Sequence, residues 1–171
     1  ATHIIGGELI YKCLFYDSTL KKGYYKFTMK LYRECSPYYD TENCGQQPIS
    51  DFDDEIYVTV YNSNNILVQN FVMPVLKRDT IDNNTYNICL YAPPGVCVEQ
   101  ATYEDKFWLP DYPGGYSVTY ERCCRNWELT NIVLPPIPPC INHPDVGAAW
   151  SLTIPDTSKA ICNSSPVFNL Y

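Results

Sequence analysis

The chain has 171 residues, enough for one domain that buries a substantial core without help. Its net charge is −7 and no basic cluster exceeds a pair such as Lys21-Lys22 or Lys77-Arg78, which argues against a nucleic-acid partner. Nine cysteines among sixteen tyrosines and fourteen prolines fit an oxidising compartment far better than a cytosol, and the odd count leaves at least one thiol unpaired or paired outside the chain.

No apolar run reaches the roughly eighteen residues of a membrane-spanning helix, so membrane insertion by this chain is not expected. The start at Ala1 fits a mature chain after signal-peptide removal, as it would an engineered start.

Helical signals are almost absent, and strand signals recur along the chain. Leu9, Tyr11, Cys13 and Phe15 alternate with Ile10, Lys12, Leu14 and Tyr16, apolar enough on both faces for a well-covered strand. Lys21-Lys22-Gly23 reads as a turn. Tyr25, Phe27, Met29 and Leu31 then alternate with Tyr24, Lys26, Thr28 and Lys30, the cleanest half-buried strand in the chain.

Glu34 to Glu55 reads as a long loop carrying Cys35, Cys44 and the acidic group Asp51, Asp53, Asp54 and Glu55. Loops of that length are uncommon in compact domains unless functional or tied down, and a Cys35–Cys44 bridge would tie this one. The acidic group offers closely spaced carboxylate oxygens of the kind a calcium ion takes, but it lacks the EF-hand pattern, and a solvated acidic loop is the plainer reading.

Ile56, Val58 and Val60 start a hairpin that turns at Asn62 to Asn65 and returns from Ile66 to Met73. Pro74 is expected to end it, because proline cannot donate to a ladder. A second hairpin runs from Tyr86 to Tyr91 and Val96 to Leu109 around Ala92-Pro93-Pro94-Gly95, with Cys89 and Cys97 placed to pair across the turn. Pro113-Gly114-Gly115 turns the chain into the strand that begins at Tyr116.

That strand delivers two adjacent cysteines. Side chains alternate across a strand, so Cys124 follows the Tyr116, Val118, Tyr120 face and Cys123 the opposite one. If both are oxidised, they bond to different partners; zinc sites usually space their thiols two to four residues apart. Pro135 to Ala148, with five prolines, Cys140 and His143, must be irregular. Trp150, Leu152 and Ile154 form one more strand, and the apolar end from Cys162 to Tyr171 suggests that further polypeptide follows.

About eight or nine short strands separated by frequent turns describe an all-β chain, an antiparallel β-sandwich of immunoglobulin-like character stapled by disulfides. A closed barrel is the alternative. All nine cysteines are disulfide candidates: Cys13, Cys35, Cys44, Cys89, Cys97, Cys123, Cys124, Cys140 and Cys162.

Nothing in the chain assembles a catalytic centre. Nucleophilic catalysis needs a base beside the nucleophile, and the only histidines are His3 and His143. Cys140 and His143 approach one another only within a proline-rich loop. Two histidines also make a catalytic zinc improbable, and Gly6-Gly7 and Gly114-Gly115 are turn pairs rather than phosphate loops. No cofactor is expected beyond the calcium option.

Tyr24, Tyr32, Tyr57 and Tyr61 lie off the core face, and Tyr38-Tyr39 lie in the long loop. Tyrosine offers contact area with a polar tip, which suits sugars and protein partners. The strand tyrosines also serve simply by packing across strands on an exposed face. Tyr38 and Tyr39 are therefore the candidate ligand contacts. Asn83-Asn84-Thr85 and Asn163-Ser164-Ser165 match the N-glycosylation pattern.

A set of segments in order also carries a family resemblance. They are His3-Ile-Ile-Gly-Gly-Glu8-Leu-Ile-Tyr11 with Cys13, Leu31-Tyr-Arg-Glu-Cys35, Cys97-Val-Glu99, Gly115-Tyr116, Tyr120-Glu-Arg-Cys-Cys-Arg-Asn126, Asn131-Ile132, Gly147-Ala-Ala-Trp-Ser-Leu-Thr-Ile-Pro155 and Asn163-Ser-Ser-Pro-Val-Phe168. Together they resemble the N-terminal domain of large Bacteroidota cell-surface proteins, gliding-motility-associated substrates of type IX secretion. The resemblance covers nearly the whole chain.

It implies a secreted, non-enzymatic domain at the bacterial cell surface, the N-terminal module of a longer exported protein and an adhesin or tip domain. Its implied partners are the downstream domains of the same protein, a surface polysaccharide and neighbouring subunits. A structural module that caps or joins fibre subunits is the alternative. The Pro135 to Val146 segment is longer than the family pattern, and Cys140 would bridge to Cys162. Asp17-Ser18-Thr19 and Asp79-Thr80-Ile81 resemble the phylum's O-glycosylation sequence, with Ser18 and Thr80 as acceptors.

Overall fold

The computed structural model describes residues 4–35, 39–40, 45–46, 51–81, 97–122, 147–156 and 160–167. Within them the chain is all-β and wholly antiparallel. Strand β1 (Ile4–Asp17) turns through residues 18–21 into β2 (Lys22–Glu34). A two-residue pair, β3 (Tyr39–Asp40) with β4 (Gly45–Gln46), sits inside the segment expected to be unbroken loop. Next come β5 (Glu55–Asn62), β6 (Leu67–Thr80), β7 (Val98–Pro110), β8 (Tyr116–Arg122) and β9 (Ala148–Ile154).

Seven of these form one sheet in the order β1-β2-β7-β6-β5-β8-β9. Strand β2 shows why it pairs so well. Tyr25, Phe27, Met29, Leu31 and Arg33 are buried while the residues between them are half-exposed, the two-residue period of a pleat with one face on the core. The first hairpin turn ends two residues earlier than expected: Lys21, at φ 51°, closes it, and Lys22 and Gly23 already belong to β2.

Pro74 does not end its strand. Strand β6 runs on to Thr80, pairing with β5 up to Glu55↔Pro74 and then with β7 from Val75↔Tyr103. The proline falls where β6 changes neighbours, and a residue without an N–H is tolerated where a ladder is handed over. Beside it, the Val75 N–H donates to the Asp54 carbonyl at 2.8 Å.

This handover lets the sheet curl on itself until it is nearly barrel-shaped. Phe71 of β6 lies 5.8 Å from Phe27 of β2, which stacks on Phe107 of β7 at 4.3 Å. Phe27, Met29, Leu31, Val58, Val60, Met73, Tyr103 and Val118 are fully enclosed in one core, each side chain contributing about 1.5–3 kcal/mol. The two outer strands approach where Trp150 of β9 covers Gly7 of β1. A Cβ at Gly7 would sit 2.9 Å from the indole and from the Lys30 carbonyl, so only glycine fits.

Among the described residues two disulfides staple this body, Cys13–Cys162 and Cys35–Cys97. They overturn three expected pairings. Cys35 bonds Cys97 rather than Cys44, so Cys97 is not joined to Cys89, and Cys162 bonds Cys13 rather than Cys140. The reason is register: β2 and β7 are neighbours, and the Glu34↔Val98 rung places Cys35 and Cys97 side by side at the next step. Cys162 reaches Cys13 because the tail lies along β1. There Ser164 and Ser165 accept the Cys13 and Tyr11 amide hydrogens at 3.0 Å, covering part of an edge strand. Cys44, Cys89, Cys123, Cys124 and Cys140 lie outside the described residues, as do the Tyr86 to Tyr91 strand and most of the Pro135 to Ala148 segment.

Candidate functional site

The outer face of β1, β2 and β7 carries a row of aromatic side chains. A bulge between Cys13 and Phe15 inserts one extra residue into β1, so Phe15 joins the outward face instead of following Cys13 inward. The ladders then set Phe15 opposite Tyr24 and Tyr24 opposite Trp108. Tyr24 stacks on Trp108 at 4.8 Å and Phe15 meets the indole edge-on at 6.2 Å. Phe15 is 56% exposed and Trp108 38%, values unusual for rings so large that already pack on one another.

Lysines flank this row. Lys12, Lys26 and Lys106 stand opposite one another across the same three strands, two residues along β2 and β7 from the aromatics. The Lys22 ammonium lies over the Trp108 ring, 4.6 Å from its centroid. Lys26 pairs with Glu104 at 2.9 Å and Lys30 with Glu8 at 2.7 Å. The hydrogen bond from Lys30, first, and that from Tyr32 hold the Glu8 carboxyl below its usual value against the opposing cost of burial. Asp17 turns back to its own loop, accepting the Thr19 and Leu20 amide hydrogens. Lys12 and Lys106 make no ion pair among the described residues.

The acidic group expected in the long loop is held by arginines. Asp54 accepts from Arg78 at 2.7 Å, Asp53 pairs with Arg122, and Asp51 lies between Arg33 at 3.5 Å and Arg78 at 3.7 Å. Phe52 is buried among them under the Arg33 guanidinium, and the Tyr103 hydroxyl donates to the Asp53 carbonyl. Glu55 instead accepts from the exposed Tyr57 hydroxyl at 2.7 Å. Phe52 is thus the apolar plug of a segment whose aspartates are held by arginines from three strands, and among the described residues no three acidic, histidine or cysteine side chains converge on a cation position. An open groove of about 660 Å³ runs from this clasp past Tyr57 to Tyr120 and Glu121.

Tyr39 falls in β3, and Tyr38 lies outside the described residues. Tyr24, Tyr32, Tyr57 and Tyr61 all fall on outward positions, as their strand alternation predicts. Ser18 is exposed in the β1–β2 turn and Thr80 is exposed at the end of β6. Phe15 and Trp108 were missed as site residues. The signal for Trp108 was present in the alternation of Lys106 and Trp108 with Phe107 and Leu109; Phe15 depends on a bulge with no local mark.

A second, smaller hollow of about 370 Å³ lies at the end of the sheet, lined by Tyr16, Lys21, Asp111, Tyr112, Asp156 and Ile161. Tyr16 donates to Asp111 Oδ2 at 2.6 Å, and this bond, followed by burial, pushes the phenol up to about 12. Asp111 Oδ1 is buried without a hydrogen-bond partner among the described residues.

No family model matches the chain, and no curated protein and no solved structure matches it significantly. The two disulfides point to an oxidising, extracellular setting. Among the described residues, no helix is long and apolar enough to cross a membrane.

Proposed function

We propose that this chain is a non-enzymatic extracellular binding module, the adhesin or tip domain of a large exported cell-surface protein. The observation that carries the reading is the exposed Phe15–Tyr24–Trp108 row, a rigid platform on which sugar rings or a partner's apolar groups stack. The disulfides support the extracellular setting, and the resemblance to N-terminal domains of type IX-secreted Bacteroidota surface proteins supports the location and the presence of downstream domains.

The finer fold reading, an immunoglobulin-like sandwich, belongs to the same proposal. What supports it is the strand order: β1-β2-β7-β6 and β5-β8-β9 follow the ABED and CFG sheets of that fold, with β6 shared between them. Tyr116, at the start of β8, donates to the Pro110 carbonyl six residues upstream, in the manner of a tyrosine corner. Two departures stand against a close likeness: the disulfides do not join β2 to β8, and β5 carries no tryptophan.

The fibre-assembly alternative draws on β9, whose outer edge has no ladder partner among the described residues. Glycan-array and whole-polysaccharide pull-down measurements on this chain decide between the two. Binding that is lost in Phe15→Ala and Trp108→Ala supports the binding module. Binding to no glycan, with end-to-end assembly alongside the downstream domains, supports the structural role.

A further inference from the structure

We infer that the outer face of β1, β2 and β7 binds an acidic polysaccharide, one whose sugar rings carry carboxylate or sulfate groups. The inference rests on the binding-module reading and adds the ligand's chemistry.

Charge is the argument. The chain as a whole carries −7, yet around the aromatic row the outward positions of these three strands hold Lys12, Lys22, Lys26 and Lys106 against Asp17 and Glu104, with Lys30, Glu8 and Glu34 further along the same face. Glu104 and Glu8 are engaged by lysines and Asp17 by its own turn, while Glu34 stands ten residues along β2 from Tyr24. A cationic surface is thus concentrated on one face of an acidic molecule, where it draws anions to that face and away from the rest.

Geometry supplies the second half. The aromatic row and the lysine row both run across the strands, so they are parallel, separated by two residues or about 6.8 Å along β2 and β7. Neighbouring strands stand about 4.8 Å apart, so each row offers successive contacts at that step. A glycan laid across the strands runs over the exposed surfaces of Phe15, Tyr24 and Trp108, with its anionic substituents toward Lys12, Lys26 and Lys106. Lys12 and Lys106, which make no ion pair among the described residues, can take those charges, and Lys22 over Trp108 adds a cation beside the stack. Nucleic acid fits less well, because the remaining surface of a chain at −7 repels a long phosphate backbone.

Affinity electrophoresis and calorimetry of the intact, non-reduced chain test this with polygalacturonate, a neutral glucan and single-stranded poly(dT). The expected result is binding to polygalacturonate that weakens about tenfold or more when salt rises from about 50 mM to about 500 mM. Lys12→Gln with Lys106→Gln should weaken it by a similar factor, and Trp108→Ala should abolish it. Each variant is checked for both disulfides and for the native circular-dichroism spectrum. Equal binding to the neutral glucan, untouched by the lysine substitutions, overturns the inference and leaves the binding module standing. Tighter binding to poly(dT) also overturns it. Binding to no glycan overturns the inference, and when joined by end-to-end assembly with the downstream domains it overturns the binding-module reading as well.

Discussion

Cys35 donates its amide hydrogen to the Cys97 carbonyl at 2.9 Å while the same two residues are joined through their sulfurs. The disulfide therefore prolongs the β2–β7 ladder by one covalent rung. Its closed loop spans 62 residues of sequence, and that of Cys13–Cys162 spans 149. Loops this long remove much chain entropy from the unfolded state.

Replacing Cys35 and Cys97 together by alanine is expected to lower unfolding free energy by about 2–5 kcal/mol in urea titration. Peptide mapping without reduction should recover the 35–97 and 13–162 links. Recovery of a 35–44 or 140–162 link instead would show that this strand register is wrong.

The Arg33 guanidinium ends the buried face of β2, donating through Nε to Glu99 at 2.8 Å on the neighbouring strand and lying 4.7 Å over Phe52. Arg33→Met keeps the apolar stem but strands the carboxylate, and should cost about 1.5–3 kcal/mol. Adding Glu99→Gln should recover part of that loss in a double-mutant cycle, whereas strict additivity would mean the two residues are not coupled.

Alkaline pH should unfold the chain late. Tyr16, through its bond to Asp111 and then burial, and Tyr116, chiefly through burial, are both pushed up to about 12. Burial drives Tyr103 upward as well. A folded-state value above the unfolded one means that the neutral phenol is favoured by folding. That stabilisation is complete below pH about 10 and is lost as pH climbs through about 12. Phenolate absorbance should thus show a late group of tyrosines titrating together with loss of strand circular dichroism. Titration of all sixteen near the ordinary value, with the fold intact, would contradict the placement of these rings.

Calcium should not stabilise the Asp51 to Glu55 segment, because Arg33, Arg78 and Arg122 already occupy the aspartates. Thermal melts with millimolar calcium and with a chelator are expected to coincide. A calcium-dependent rise in Tm that disappears in Asp53→Asn would show that the cation displaces the arginines.

Much of this architecture was legible in the sequence because the pleat is a local property. Tyr25, Phe27, Met29 and Leu31 had to share a face whatever lay beside them, and Asn62 to Asn65 had to turn, its Asn65 taking φ 58°. The cysteine count alone pointed to an oxidising setting. Which cysteines meet, where β6 changes partner at Pro74, and which way Phe15 points were decided only by tertiary structure. Each depends on register between strands distant in sequence, and a one-residue bulge is enough to move a side chain from one face to the other. The aromatic row exists for that reason: three residues that are ordinary strand formers one at a time become a single surface when the ladders bring Phe15, Tyr24 and Trp108 into line.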